Sequence, residues 1–333
     1  MGVRNVFTVE LEDGSRVLST IKGKVLPGLQ GQYNSLAPGD VVDVEPDPHD
    51  PAKARVLSFE PRRSSFHRFN EKGMAPQTLA ANADRVVLVA TPAEPPFRPR
   101  FIDRVMTSCA AQGIPLVLVI NKEDLGLSAE AKDRLRLYED LGLQSLRVSA
   151  KTGKGLRDLR RLLSSGLSVL TGQSGVGKSS LLNALDPSLA LKVGELCAKY
   201  GRGVHTTTLS VLLRPEGFRG LVVDTPGFRR ITLHGNDPES LASLMTDLRA
   251  AAADCAFGPS CSHNSEEGCA VRAAAEAGAI HPDRYESYLR MREELSQASD
   301  RPLPRPRSRP DPVAKAGKGS ARRALRRLEE EEE

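Results

Sequence analysis

Eight consecutive residues, Gly172-Gln173-Ser174-Gly175-Val176-Gly177-Lys178-Ser179, have the types and spacing needed to hold a chain of phosphates. Glycines let the backbone approach phosphate oxygens and turn successive N–H groups toward them. A helix beginning here adds the partial positive charge of its N-terminus. Lys178 is spaced to reach the β- and γ-phosphates, and the Ser179 hydroxyl to ligate Mg²⁺, with Ser180 beside it. The apolar run 167–170 predicts a buried strand before the loop, and 180–185 predicts a helix after it. That strand–loop–helix context separates a phosphate loop from a glycine-rich turn with a chance lysine.

Two further motifs concern the base. Asn121-Lys122-Glu123-Asp124 follows the apolar run 116–120, and Ser149-Ala150-Lys151 follows 146–148. Both runs read as strands, and ligands of open α/β sheets bind at the carboxyl ends of strands. The Asp124 carboxylate can accept from both N1–H and the exocyclic N2–H of guanine, a donor pair that adenine lacks. Asn121 is expected to brace the loop, the Lys122 stem to lie over the base, and the Ala150 N–H to donate to guanine O6. Either motif alone occurs often by chance. Together with a phosphate loop they point to guanine, against the competing reading of an ATPase or kinase.

The remaining parts of a GTPase follow. The polar loop 201–208 precedes a predicted strand at 209–213, and one of its threonines is expected to bind Mg²⁺ with the γ-phosphate; Thr207 is the candidate. The run 221–223 then leads into Asp224-Thr225-Pro226-Gly227, where Asp224 would hold Mg²⁺ through water and the Gly227 N–H would sense the γ-phosphate. The order is unusual. A Ras-like GTPase presents the phosphate loop first and the base-reading motifs last; here the base-reading motifs come first. The chain therefore reads as a circularly permuted GTPase domain opened after the second switch, a change that only moves a surface connection.

Past Gly227 comes Cys255-x5-Cys261-x-His263-x5-Cys269. Three thiolates and an imidazole at short spacings suit a closed, structural tetrahedral Zn²⁺ site, and a loop of this kind has little else to fold around.

These motifs need elements to position them. The chain has 333 residues, a net charge of +5 and a pI near 9.0, enough for several domains and compatible with a polyanionic partner. The scattered Cys109 and Cys197 do not form a secreted disulfide framework, so a cytoplasmic protein is expected; no apolar run is long enough to cross a bilayer, and a monomer is expected. Short β-like runs at 6–11, 16–21, 41–44 and 55–59, separated by turn residues, predict an OB-type barrel over residues 1–62. Arg55, Arg62, Arg63, His67, Arg68 and Lys72 interleave with Phe59, Phe66 and Phe69, which suits an RNA surface or, equally, a solvated linker. The GTPase domain is expected over 63–233 and a zinc-binding helical module over 234–299. The tail 300–333, basic then acidic, is expected to be disordered, either folding on RNA or serving no dedicated role. The fold class is α/β: a permuted P-loop GTPase flanked by barrel and zinc module.

A barrel, a permuted GTPase and a Cys-x-His module in that order resemble the RsgA (YjeQ) family of small-ribosomal-subunit-dependent GTPases. The resemblance covers about residues 1–298 and is carried by Ala80-Ala81-Asn82, 121–124, 172–179, 203–208, 224–228 and the cysteine cluster. It implies binding to the small (30S) subunit late in its assembly, GTP hydrolysis stimulated there, and rRNA gripped by barrel and zinc module. The runner-up is a nucleotide-gated rRNA adaptor with incidental hydrolysis. Phe228 stands where Ras-like enzymes place a water-orienting Gln. The resemblance implies that a histidine of the first switch substitutes, and His205 matches; its competing role is a loop cap or an rRNA contact. Two departures are the five residues between Cys255 and Cys261 and the short N-terminal segment.

Overall fold

A computed structural model describes residues 2–3, 6–21, 26, 31–70, 74–191, 210–228, 231–233 and 236–299. His205, Thr207, Cys197, Lys72 and the tail 300–333 lie outside the described residues.

The N-terminal strands are β1 (Gly2–Val3), β2 (Val6–Glu10), β3 (Arg16–Ile21), β4 (Val42–Asp47) and β5 (Asp50–Phe59). They form one sheet in the order β1-β2-β3-β5-β4, in which β3 and β5 run parallel and the other neighbours antiparallel. A three-strand meander joined in parallel by its fifth strand is the arrangement of an OB-type sheet. Ile21, Leu26, Leu36 and Val56 form its small core.

The basic and aromatic stretch after β5 is no linker. It forms a hairpin of β6 (Ser65–Asn70) and β7 (Ala75–Ala81). Phe66 is fully buried and, with Leu79 and Ala80, joins the largest hydrophobic cluster of the molecule. Arg62 is equally unavailable to RNA: it forms a buried bidentate pair with Asp40, at 2.7 and 2.8 Å. The alternation of apolar residues across 65–81 is broken by a register shift between Phe66 and His67, which hides the strand period in the sequence. Asn82, at φ 55°, ends the hairpin; its side chain accepts from the Arg63 N–H and donates to the Gly39 carbonyl, pinning the barrel to the hairpin.

The central sheet contains β8 (Arg85–Ala90), β9 (Leu116–Ile120), β10 (Gln144–Arg147), β11 (Leu167–Gly172), β12 (Val211–Leu213) and β13 (Leu221–Asp224). Its order is β10-β9-β8-β11-β13-β12, parallel except for β12. Successive strand residues face opposite sides. Val86 and Leu88 face a cluster with α1 (Pro99–Ala111) and α2 (Ala129–Asp140). Val87 and Val89 face another with α3 (Leu156–Leu163) and α4 (Lys178–Leu185). Both faces being covered, the strands are almost continuously apolar.

The C-terminal module opens with a 3₁₀ turn at Leu241–Leu244, followed after Met245 by α5 (Thr246–Ala252). It continues with α6 (Ala270–Glu276) and α7 (Pro282–Ser299), whose Tyr288, Met291 and Leu295 share a core with the three cysteines. No helix among the described residues is long and apolar enough to cross a membrane.

Candidate nucleotide pocket and metal centre

The central sheet places the phosphate loop at the end of β11, its middle strand, where the chain order of neighbouring strands reverses. Asn121, 1 % exposed at the end of β9, donates from Nδ2 to the Val176 carbonyl at 2.9 Å and accepts from the Ala150 N–H at 3.2 Å. One side chain thus joins the two base-reading motifs to the phosphate loop. Gly177 makes this possible: at φ 88° it would carry any Cβ to within 2.4 Å of Asn121 Nδ2. The expected Ala150 donation toward guanine O6 is here directed to Asn121.

Asp124 is exposed at the pocket rim and accepts from the Ser149 hydroxyl at 2.5 Å. That hydrogen bond, with Lys151 and Lys122 nearby, holds its carboxyl below the usual range, ready to accept from a base. Lys122, in the left-handed region at φ 59°, donates from Nζ to the Glu94 carbonyl at 2.5 Å. Ser149 also accepts from the Thr152 N–H, so its hydroxyl is oriented toward Asp124.

In the phosphate loop Ser174 and Gly175 are exposed, while Gly172, Gln173, Val176 and Lys178 are buried. The Lys178 ammonium lies 3.4 Å from the carbonyls of Gly172 and Gln173, folded back over the loop that it would leave for a phosphate. It also faces Asp224. Burial pushes the Asp224 carboxyl up to about 6, against the opposing pull of Lys178, and its Oδ1 is buried without a hydrogen-bond partner among the described residues. An orphaned carboxylate oxygen on a residue 5 % exposed is costly unless a cation or its water reaches it, so Asp224 and the half-buried Ser179 fit a hydrated Mg²⁺.

Gly227 closes the pocket on the side of the second switch. A Cβ there would sit 2.7 Å from Ser174 N, so only glycine lets this segment rest on the phosphate loop. The next residue, Phe228, donates its N–H to the Gly172 carbonyl and turns its ring into the core against Phe101, with centroids 6.0 Å apart. The side chain at the usual glutamine position is therefore buried rather than aimed at an attacking water.

Sequence reasoning missed how this pocket is tied to the C-terminal module. Asp103 of α1, fully buried, accepts from Arg284 of α7 and from the Tyr138 hydroxyl, both at 2.9 Å. Arg284 also grips Asp247 of α5. Arg104 of α1 bridges the Ile231 carbonyl, just past the second switch, and Glu294 of α7 at 2.6 Å. The available signal was an acidic residue on the apolar stripe of α1 and an arginine on that of α7.

The cysteine cluster assembles in that module. Cys255, Cys261, His263 and Cys269 are all buried, and their ligand atoms lie within 4.8 Å of one another. Cys255 Sγ is 3.3 Å from His263 Nδ1 and 3.9 Å from Cys269 Sγ. Those spacings are close to the edge of a tetrahedron of metal–sulfur bonds, about 3.8 Å for bonds of about 2.3 Å. Burial pushes the Cys261 thiol up to about 12 and lowers His263, so a cation is needed to hold thiolates here. The Tyr285 and Tyr288 hydroxyls of α7 donate to the carbonyls of His263 and Ser262, and Glu266 accepts from the N–H groups of Ser262, Asn264 and Ser265. The cluster could hold a metal ion.

Comparison with known proteins agrees with this geometry. The RsgA GTPase family profile matches residues 59–234. A protein of Chlorobaculum parvum named small ribosomal subunit biogenesis GTPase RsgA is 37 % identical over 298 residues, 87 % of this chain and 95 % of its own. One of the same name from Moorella thermoacetica is 39 % identical over 259 residues, 78 % of this chain and 84 % of its own. The crystal structure of YjeQ from Thermotoga maritima superposes with a TM-score of 0.65 at 31 % identity, over 90 % of this chain and 96 % of that one. YloQ, described as a circularly permuted GTPase, superposes with a TM-score of 0.62 at 24 % identity, over 91 % and 95 % of the two chains, and supports the fold.

Proposed function

Because the chain belongs to the RsgA GTPase family, we propose that it hydrolyses GTP in the service of small ribosomal subunit maturation, with turnover stimulated by the 30S particle. The observation that carries the reading is the bond from Asn121 to the Val176 carbonyl, which joins base-reading and phosphate-binding loops from distant parts of the chain. Asp124, Ser149, Ala150 and Lys151 then receive guanine, with Lys122 over the base. The loop 172–180 wraps the phosphates, and Gly227 senses the last of them.

Ser179 and Thr207, with Asp224 through water, would hold Mg²⁺, which would supply charge neutralisation at the transferring phosphate. His205 orients the attacking water in place of the buried Phe228, after docking orders the first switch. The cysteine cluster holds one structural Zn²⁺, a reading supported by its all-buried Cys₃His donor set. The division into a barrel at 1–62, a GTPase domain at 63–233, a zinc module at 234–299 and a tail at 300–333 follows the same reading, as do a cytoplasmic monomer and rRNA contacts by barrel and module.

The test is GTP turnover at fixed enzyme with and without purified small subunits. A rate that rises with added subunits is expected; an unchanged rate would favour a nucleotide-gated rRNA adaptor. Displacement of bound GDP by ATP as readily as by GTP would remove the guanine assignment.

A further inference from the structure

Arg68 of β6 is half-buried and pairs with no carboxylate among the described residues. Its guanidinium makes long contacts of 3.4 and 3.3 Å with Gln77 Oε1 on the facing strand β7. Burial draws it below its ordinary value. The compensating neighbour is a ring: the guanidinium carbon lies over Phe228, 5.8 Å from the centroid. A cation set over a ring face is attracted by the ring's quadrupole, more strongly where water is excluded. Phe228 is 6 % exposed and meets Phe101 of α1, so its ring is held between a helix and the hairpin that carries Arg68. The same strand touches this segment again, where the Phe69 carbonyl accepts from the Thr232 hydroxyl at 3.4 Å. One peptide bond separates Phe228 from Gly227. The Phe228 N–H reaches the Gly172 carbonyl at 3.3 Å, and Gly227 packs against the Ser174 backbone. Whatever seats the ring therefore also seats Gly227 on the phosphate loop.

Resting on the reading of Gly227 as the sensor of the last phosphate, we propose that Arg68 is a positioning residue for the GTP-bound state. It clamps the Phe228 ring, and through it holds the Gly227 N–H where the terminal phosphate arrives. A positioning residue must itself be held, and this one is. β7, paired with β6, is pinned to the barrel by Asn34, which accepts from the Thr78 N–H and donates to the Thr78 carbonyl, both at 2.9 Å. Arg62, just before the hairpin, is fixed by its bidentate pair with Asp40. The consequence is selective. GDP has no phosphate at Gly227, so its affinity does not depend on where that residue sits. A triphosphate does depend on it, because a loosened segment must be ordered, at an entropic cost, when the ligand binds.

The test is fluorescence titration of the full chain, at fixed Mg²⁺, with labelled GDP and with a labelled non-hydrolysable β,γ-imido analogue of GTP. Arg68→Gln removes the cation and keeps a polar side chain. It should weaken the triphosphate analogue about fivefold and leave GDP within about twofold. Phe228→Leu should act in the same sense, and adding Arg68→Gln to it should cost nothing further, because ring and cation work as a pair. Should Phe228→Leu fail to fold, Arg68→Gln decides alone. Unchanged affinity for the analogue in Arg68→Gln, an equal loss for both nucleotides, or a full extra loss on the Phe228→Leu background would each overturn the assignment. The measurement uses neither ribosomes nor hydrolysis, so failure of subunit stimulation would sink the proposed function and leave this assignment standing.

Discussion

Asn121 Nδ2 and the Val176 carbonyl, 55 residues apart in sequence, meet at 2.9 Å in a fully enclosed contact. The bond fixes the distance between the loop that reads the base and the loop that wraps the phosphates, so it sets the length of ligand the pocket accepts. Asn121→Ala leaves the Val176 carbonyl buried and unpaired and frees the Ala150 N–H. Affinity for labelled GDP should fall on the order of tenfold to a hundredfold, measured by fluorescence titration, while the melting temperature of the metal module stays put. Wild-type affinity in this variant would mean that the two loops do not share a ligand.

Base choice should follow the Asp124 carboxylate. Guanine offers two donors to it, whereas xanthine offers a carbonyl in place of the exocyclic amine. Asp124→Asn turns one acceptor into a donor. GDP affinity should drop by roughly a hundredfold, below the penalty of a fully buried site because Asp124 lies at an exposed rim. Xanthosine diphosphate should gain. Competition binding with both nucleotides checks the exchange.

The pocket's parts were legible because each is local: glycine spacing, a lysine after it, short motifs at the ends of apolar runs. Strands β9, β11 and β13 were legible because burial on both faces leaves uninterrupted apolar runs. The hairpin β6–β7 was not, since a register shift after Phe66 breaks its period and its arginines read as solvated. The Asp103–Arg284 contact spans 181 positions and follows from how α7 packs on α1, which no local pattern encodes. The exposure of Asp124 was also hidden, because motif chemistry gives the donor set and not its depth.

The Asp103–Arg284–Asp247 network should be a point of vulnerability. Arg284 is 1 % exposed and serves two buried carboxylates on different helices. Arg284→Met leaves Asp247 without a counter-charge among the described residues and Asp103 with only Arg134, 3.8 Å away, and should destabilise the protein by about 3–5 kcal/mol. Adding Asp103→Asn and Asp247→Asn should recover a large part of that loss. Urea denaturation of the three proteins measures both effects, and no recovery in the triple variant would place the cost in packing rather than charge.

Metal removal should loosen the C-terminal module first. Its core includes Cys255, Cys261 and Cys269, and α7 holds the ligand loop through Tyr285 and Tyr288. Chelation should therefore expose three further thiols to a colorimetric thiol reagent, whereas Cys109, buried in the GTPase core, stays protected. GDP binding should persist, because the nucleotide pocket takes no residue from the cluster. Unchanged thiol reactivity after exhaustive chelation would argue against a bound metal.

Asp224 gives the pocket a dependence on pH. Burial raises its carboxyl to about 6 from an ordinary value of 3.8. Between those values the folded, nucleotide-free protein retains a proton that the unfolded chain has released. The contribution to stability is therefore fully present below 3.8 and is lost as pH rises through 6, by about 3 kcal/mol in all. Mg²⁺ and nucleotide reverse the sense, because they need the carboxylate charged. Below pH 6 their binding must expel the proton, so apparent Mg·GTP affinity should fall by about tenfold for each further pH unit. Above about pH 7 the affinity should be flat. In Asp224→Asn the slope on the acid side should vanish together with most of the Mg²⁺ requirement. Calorimetry at about pH 5, 6 and 7.5, in buffers of different ionisation enthalpy, counts the proton directly. A proton count of zero at the most acid of these in the unaltered protein would show that Asp224 is already ionised before the cation arrives.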